Sequence, residues 1–378
     1  MDCYRRVIGE LRNGGKICSS DHVKNPFEAV FGVSGSGKTT FLNQQVQQLV
    51  LAKIPVLVFN YNNCMNREQM PLEFKAWYEE NVQVYHVGSG IPLNLMDQSL
   101  YGKMPEHKRE DIMLDQLTDI LGSAYSLPIT QLAELRSAIK GVYETGAYLT
   151  TGISSIGDFL REAECQAAKS VYMKMRPLLE LNALVAGEIS FDKPIIEFDL
   201  NGVDMKSPFV IAKILIAHFY LRAKAGQFAK TKLALVIDEA QHFDFSTGVF
   251  YEMMTEARKA DMILLFATAE SPFKKSLVNL QQCSTKLYFQ PSKDARKVAK
   301  LISEYDISYW TTALKGLKVG EFVAVGDFCV ESGKPLRGTK ILRTSKDSYV
   351  SAVNSDRPRR NEKVTTLGTN SEKGVKLC

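Results

Sequence analysis

The stretch "FGVSGSGKTT", residues 31–40, decides how this chain is read. Gly32, four intervening residues and then Gly37, Lys38 and Thr39 match the Walker A spacing, a loop whose backbone N–H groups wrap a polyphosphate. Gly35 and Gly37 free the backbone to turn inward. Lys38 can reach the β- and γ-phosphates, and the Thr39 hydroxyl can ligate Mg²⁺. Ser34, Ser36 and Thr40 complete the set of nucleotide-binding positions. Phe27 to Phe31 reads as a buried strand before the loop. After it, "TTFLNQQVQQLVLAK" places Phe41, Leu42, Val46 and Leu49 on one helical face. Strand, glycine loop and helix together aim a helix N-terminus at an anion.

A phosphate loop alone would suit a kinase, a GTPase or a motor. "LALVIDEAQHF", residues 233–243, narrows the choice. The apolar run Leu233 to Ile237 predicts a buried strand whose carboxyl end delivers Asp238 and Glu239 to the sheet edge where ligands sit. Asp238 can hold Mg²⁺ through its water shell, and Glu239 is placed to polarise the water that attacks the γ-phosphate. Adjacent acids at a strand end also occur as N-terminal charges of a helix. With a Walker A loop in the same chain the catalytic reading is preferred, and a carboxylate poised on water argues for ATP hydrolysis over transfer to a small molecule.

The rest of the 378 residues supports an α/β fold, and with the Walker A loop the chain resembles a P-loop NTPase of the RecA-like, additional-strand type. The expected organisation is a lead-in over 1–25 with "RNGGK" as a turn, a first part of the ATPase core over 26–94, an all-helical insertion over 95–190, a second part of the core over 191–344 and a disordered tail over 345–378. Strands are expected at "IPVLVFNYNN", "VQVYHVG", "KPIIEFDLNG", "KLALVIDEA", "MILLFATAE", "STKLYFQ", "EFVAVGD" and "TKILRT", with helices between several of them. That alternation predicts a mainly parallel sheet covered on both faces. In the insertion, "PITQLAELRSAIKGVYE" brings Leu132, Leu135, Ile139 and Val142 to one face, read as packing.

Net charge is +5, but residues 345–378 hold seven Lys or Arg against four Asp or Glu, so the remainder is nearly balanced and bulk charge gives weak support for nucleic-acid binding. Arg357, Arg359 and Arg360 in the tail could touch phosphates, although a solvated tail is the simpler reading. Seven scattered cysteines without a C-x-x-C, and no histidine pair at ligand spacing, argue against a disulfide frame or a zinc site. No apolar run approaches the roughly 20 residues of a membrane span, the start "MDCYRRVIGE" lacks a signal-peptide core, and Asp2 excludes myristoylation. A cytoplasmic protein is expected.

In their order, "NPFEAVFGVSGSGKTTF", "PLNLMD", "IIEFDLNGVD", "VIDEAQHF", "EARKADMILLFATAESP", "QQCSTKLYF" and "LKGLKVGEFVAVGD" make the chain similar to the HerA, FtsK and VirB/TraC-type ATPases over roughly residues 20 to 345. The resemblance implies a ring, commonly a hexamer, that moves DNA in conjugation, packaging or defence, with DNA, a membrane-bound secretion complex or a defence effector as partner. It also implies that Arg258, beside Lys259, could face a neighbouring subunit's nucleotide, and that Thr268 is suited to sense the γ-phosphate. Many relatives have a glutamine directly after that threonine, whereas this chain has Ala269 and then Glu270. Alternatives are a VirB/TraC-type ATPase energising a transfer channel by moving protein, and a slow nucleotide-gated switch. The N-terminal domains of full HerA and VirB/TraC-type proteins find no counterpart here, so the chain is expected to act as a motor domain that depends on a partner for targeting.

Overall fold

A computed structural model describes residues 6–19, 26–61, 67–101, 105–202, 207–291, 294–336 and 338–345; the tail arginines Arg357, Arg359 and Arg360 lie outside the described residues. The first of these form a hairpin, β1 (Val7–Glu10) and β2 (Lys16–Ser19), around the "RNGGK" turn. Next, β3 (Glu28–Phe31) enters the glycine loop and α1 (Lys38–Leu51) leaves it, followed by β4 (Val56–Asn60), α2 (Leu72–Asn81) and β5 (Val82–His86). A short strand β6 (Ile91–Pro92) opens the helical stretch α3 (Glu106–Tyr125), α4 (Ile129–Thr145), α5 (Tyr148–Thr151), α6 (Ser155–Glu162) and α7 (Gln166–Glu180), and β7 (Leu184–Val185) closes it by pairing with β6. Strands and helices then alternate through β8 (Ile195–Asp199), α8 (Ser207–Lys224), β9 (Leu233–Ile237), α9 (Gly248–Glu256), β10 (Met262–Thr268) and β11 (Thr285–Tyr288). The last elements are α10 (Ala295–Ile302), α11 (Ile307–Lys315), β12 (Glu321–Val325), β13 (Phe328–Val330), β14 (Pro335–Leu336) and β15 (Lys340–Arg343).

Thirteen of these strands make one sheet, in the order β14-β13-β2-β1-β15-β12-β11-β3-β10-β9-β4-β8-β5. From β11 to β5 every pairing is parallel, and from β12 outward every pairing is antiparallel. The parallel part is buried on both faces, and successive residues divide between two cores. Val30, Val56, Val58, Val236 and Leu265 pack with Phe41, Leu42, Val46 and Leu49 of α1. Phe31, Leu57, Leu235, Ile237 and Phe266 pack on the other side with α8, α9 and the helices of the 106–180 stretch. This two-sided burial explains why the strands read as continuous apolar runs rather than alternating ones.

Within the helical stretch, α4 shows how the local signals act. Pro128 stands just before its first turn, Leu135, Ala138, Ile139 and Val142 form its buried stripe, and Gly146 ends it in the left-handed conformation at φ 70°.

The N-terminal hairpin is bound to the core by polar contacts. The Arg6 guanidinium is buried and donates to Glu28 of β3 and, at 3.0 Å, to Gln45 Oε1 of α1. Gln45 and Gln48 donate from their side-chain amides to the Val7 carbonyl at 2.9 and 3.0 Å. Thus α1 buries glutamines as well as its apolar stripe, because the facing strand presents backbone polar groups that need partners.

Candidate active site

The order of the parallel strands positions the site. β10 lies between β3 and β9, with Thr268 paired to Phe31 on one side and Phe266 to Ile237 on the other. The loop at residues 32–37, the Asp238-Glu239 pair and Thr268 therefore meet at the carboxyl ends of three adjacent strands, the edge at which open parallel sheets bind ligands.

Loop geometry follows from its glycines. Gly35 and Gly37 have φ of 77° and 105°, conformations that side chains disfavour. Gly32 meets a steric limit instead: a Cβ there would sit 2.6 Å from the Phe289 Cβ and 2.9 Å from the Ser36 Oγ. The loop is held by backbone bonds from Gly32 N to Thr268 O at 3.2 Å, Val33 N to Gln290 O at 3.0 Å, and Gly320 N to Ser36 O at 2.9 Å. The last of these brings the antiparallel wing against the loop. Gly37 caps α1 with no side-chain hydrogen bond, and the first turn of α1 carries no acid. The helix start thus keeps the positive end of its dipole uncompensated by the chain's own side chains. Ser34 and Thr40 are exposed, and Ser36 is buried with its hydroxyl donating to Val33 O at 2.7 Å.

Lys38 is buried and donates to Gly32 O at 2.8 Å and Val33 O at 3.0 Å. Burial lowers its pKa, and the nearby Asp238 and Glu239 carboxylates oppose that shift. The Thr39 hydroxyl lies 3.3 Å from Asp238 Oδ2, donating to it. Asp238 is itself buried, and desolvation pushes its carboxyl upward while the Glu239 N–H, donating to Oδ1 at 2.9 Å, and Lys38 hold it down. Tyr61 supports this corner from β4's end by donating its hydroxyl to the Asp238 carbonyl.

Glu239 occupies the left-handed region at φ 51° and ψ 41°. A non-glycine residue there costs on the order of 1 kcal/mol, and the kink turns the chain out of β9 into a short turn over Ala240–His242. Gln241 in that turn donates to the Glu239 carboxylate and accepts from the Thr268 hydroxyl at 2.7 Å. Neither Gln241 nor Tyr61 was a candidate from sequence. The only available signal for Gln241 was its place two residues after the acid pair, and the kink that brings it back leaves no mark in the residue pattern.

Arg258 sits elsewhere. It lies exposed in a turn over Ala257–Ala260, just before β10 begins at Met262, whereas the site lies at the far end of β10. A strand of that length spans about 20 Å, so Arg258 and the loop of the same chain are at opposite edges of the sheet. Its neighbour Lys259 is paired with Glu256 at 2.6 Å.

No protein-family model matches the sequence, and no curated protein matches it. Among solved structures, VirB4 of Thermoanaerobacter pseudethanolicus is similar with a TM-score of 0.62 and 14% identity, over 91% of this chain and 97% of that one. The plasmid coupling protein TrwB, in complex with the non-hydrolysable ATP analogue ADPNP, is similar with a TM-score of 0.54 and 13% identity, over 85% of this chain and 86% of that one. No helix among the described residues is long and apolar enough to cross a membrane. With its loop, its parallel sheet and these two likenesses together, the chain has the fold of VirB4 and TrwB, a P-loop NTPase fold of the kind that the resemblance to HerA and FtsK implied.

Proposed function

We propose that this chain is a Mg²⁺-dependent ATP hydrolase that works as a ring-forming motor and translocates DNA. One observation carries the hydrolase: Lys38, Thr39, Asp238 and Glu239 converge at one sheet edge, with the Thr39 hydroxyl 3.3 Å from the Asp238 carboxylate. Two hard oxygen atoms so placed fit Mg²⁺, which is ordinarily held by one or two protein oxygens and completed by phosphates and water. A cage of three or more His, Cys, Asp or Glu is absent among the described residues, as that mode of binding allows. Bound Mg²⁺ supplies neutralisation of phosphate charge.

The chain's own groups do the rest. Backbone N–H groups of the loop and the start of α1 would cradle the phosphates, with Gly32, Ser34, Gly35, Ser36, Gly37 and Thr40 in contact. Lys38 would exchange its two carbonyl acceptors for the β- and γ-phosphates. Thr39 and Asp238 would hold the ion, Glu239 would orient and deprotonate the attacking water, and Thr268 would meet the γ-phosphate. Arg258, at the opposite edge of the sheet, would serve a neighbouring subunit's nucleotide in a homo-hexamer.

The motor reading is supported by the fold shared with VirB4 and with TrwB, a plasmid coupling protein. A cytoplasmic ring, recruited by partners to the inner face of a membrane, fits that reading. Steady-state ATP hydrolysis with and without double-stranded DNA, beside a Glu239→Gln control, tests it. Hydrolysis that DNA stimulates and the variant lacks is expected. Activity indifferent to DNA at low salt, where phosphate contacts are strongest, would overturn the DNA part and favour the second reading, an ATPase that energises a transfer channel, to which the VirB4 likeness also lends support.

A further inference from the structure

We propose that Gln241 is a positioning residue that joins the Glu239 carboxylate to the Thr268 hydroxyl across the ends of β9 and β10; the inference rests on the hydrolase reading above. Its carboxamide is used at both ends. The amide nitrogen donates to Glu239 Oε2, and the amide oxygen accepts from Thr268 Oγ1 at 2.7 Å. Thr268 is buried, and its Oγ1 accepts in turn from the Glu270 N–H at 3.1 Å.

This chain of bonds fixes the orientation of the amide. Thr268 has one proton, and giving it to Gln241 requires the carbonyl end to face the threonine and the NH₂ end to face the carboxylate. The flipped amide would set its oxygen against the carboxylate and lose that bond, so the carboxylate fixes the NH₂ end and leaves the carbonyl to accept the threonine proton. One carboxylate oxygen of Glu239 is therefore tied, leaving Oε1 as the atom free of Gln241 for a water proton. Thr268 is paired to Phe31, the residue that leads into the phosphate loop, so whatever engages the Thr268 hydroxyl from the loop side changes the hold on Glu239. Ala269, the residue after Thr268, brings no polar side chain to this edge, and the carboxamide comes from the β9 side instead.

The test is steady-state ATP hydrolysis by Gln241→Ala, Thr268→Val, their combination and Thr268→Ser beside wild type and Glu239→Gln. Gln241→Ala should lower kcat about tenfold or more with KM within about twofold, because positioning acts on the reacting carboxylate and not on nucleotide binding. Thr268→Val, which also removes the hydroxyl that would meet the γ-phosphate, should cost at least as much, the double variant should be no worse than Thr268→Val alone, and Thr268→Ser should recover what Thr268→Val loses. A wild-type kcat in Gln241→Ala, a loss in KM rather than kcat, or multiplicative losses in the double variant would overturn the inference while leaving the hydrolase intact. Wild type without hydrolysis, or an active Glu239→Gln, would overturn the hydrolase reading and this inference with it.

Discussion

Thr39 and Asp238 stand 199 positions apart in the chain, yet the threonine hydroxyl donates to the aspartate across 3.3 Å. That pairing is where the two motifs become one site. Asp238→Asn keeps the shape and removes the charge, so the Mg²⁺ concentration for half-maximal hydrolysis should rise about tenfold or more, a loss of roughly 1.4 kcal/mol. Because burial pushes the Asp238 carboxyl upward, the same variant should melt no lower than wild type. A magnesium titration read beside a thermal melt checks both points, and an unchanged Mg²⁺ requirement would remove Asp238 from ion binding.

Lys38 holds two loop carbonyls from a buried position, with Asp238 and Glu239 favouring its charged form. Lys38→Ala should weaken binding of a fluorescent ATP analogue about tenfold or more and abolish turnover. Affinity within twofold of wild type would assign the lysine to loop structure alone.

Gly32 has no room for a side chain. Phe289, the first atom a Cβ would meet, is fully buried and stacked on Phe322 at 4.8 Å, so it cannot yield. Gly32→Ala should cost about 1–3 kcal/mol and lower Tm by several degrees. Gly88→Ala, where a Cβ meets nothing within 4 Å, is the matched control and should be neutral. Equal melting of the two variants would show that the loop adapts.

The parallel half of the sheet was legible because both its faces are buried: the runs at β4, β9 and β10 are apolar whichever neighbour they meet. The loop and the acid pair were legible because phosphate chemistry restricts residue type at fixed spacing. The hairpin β1–β2 was read only as a turn within a lead-in. Its four-residue strands, "VIGE" and "KICS", are held by Arg6, Glu28 and the glutamines of α1, and such polar partnerships across long sequence separations leave no periodic trace. Gln241 stayed hidden for the same reason. Its role depends on the left-handed kink at Glu239, which the local residues do not announce.

Arg258 lies before β10 begins, while Thr268 lies at its end, so this arginine does not reach the nucleotide site of its own chain, and under the ring reading proposed above its effect on hydrolysis comes through another subunit. Arg258→Ala should leave nucleotide affinity unchanged at concentrations where the protein is monomeric and remove the part of turnover that rises with assembly. Sedimentation and hydrolysis measured over the same concentration series separate the two. Full activity in the assembled ring would discard the assignment.

His218 supplies a prediction about the fold itself. It lies buried on α8 against Phe219, where desolvation and the neighbouring Arg222 charge push its pKa down to about 3. An unfolded histidine titrates near 6.5, so below that pH the unfolded chain binds a proton that the folded chain refuses. The stabilisation is complete above about pH 6.5 and is lost as pH falls toward 3, amounting to about 2 kcal/mol by pH 5. His242, also lowered chiefly by burial, adds to the loss in the same direction. Denaturant unfolding at pH 7 and pH 5 should show this drop in wild type, and His218→Leu should shrink it by about 2 kcal/mol. An equal drop in the variant would mean that the folded protein admits the proton at His218, and that the helix packing around it opens in mild acid.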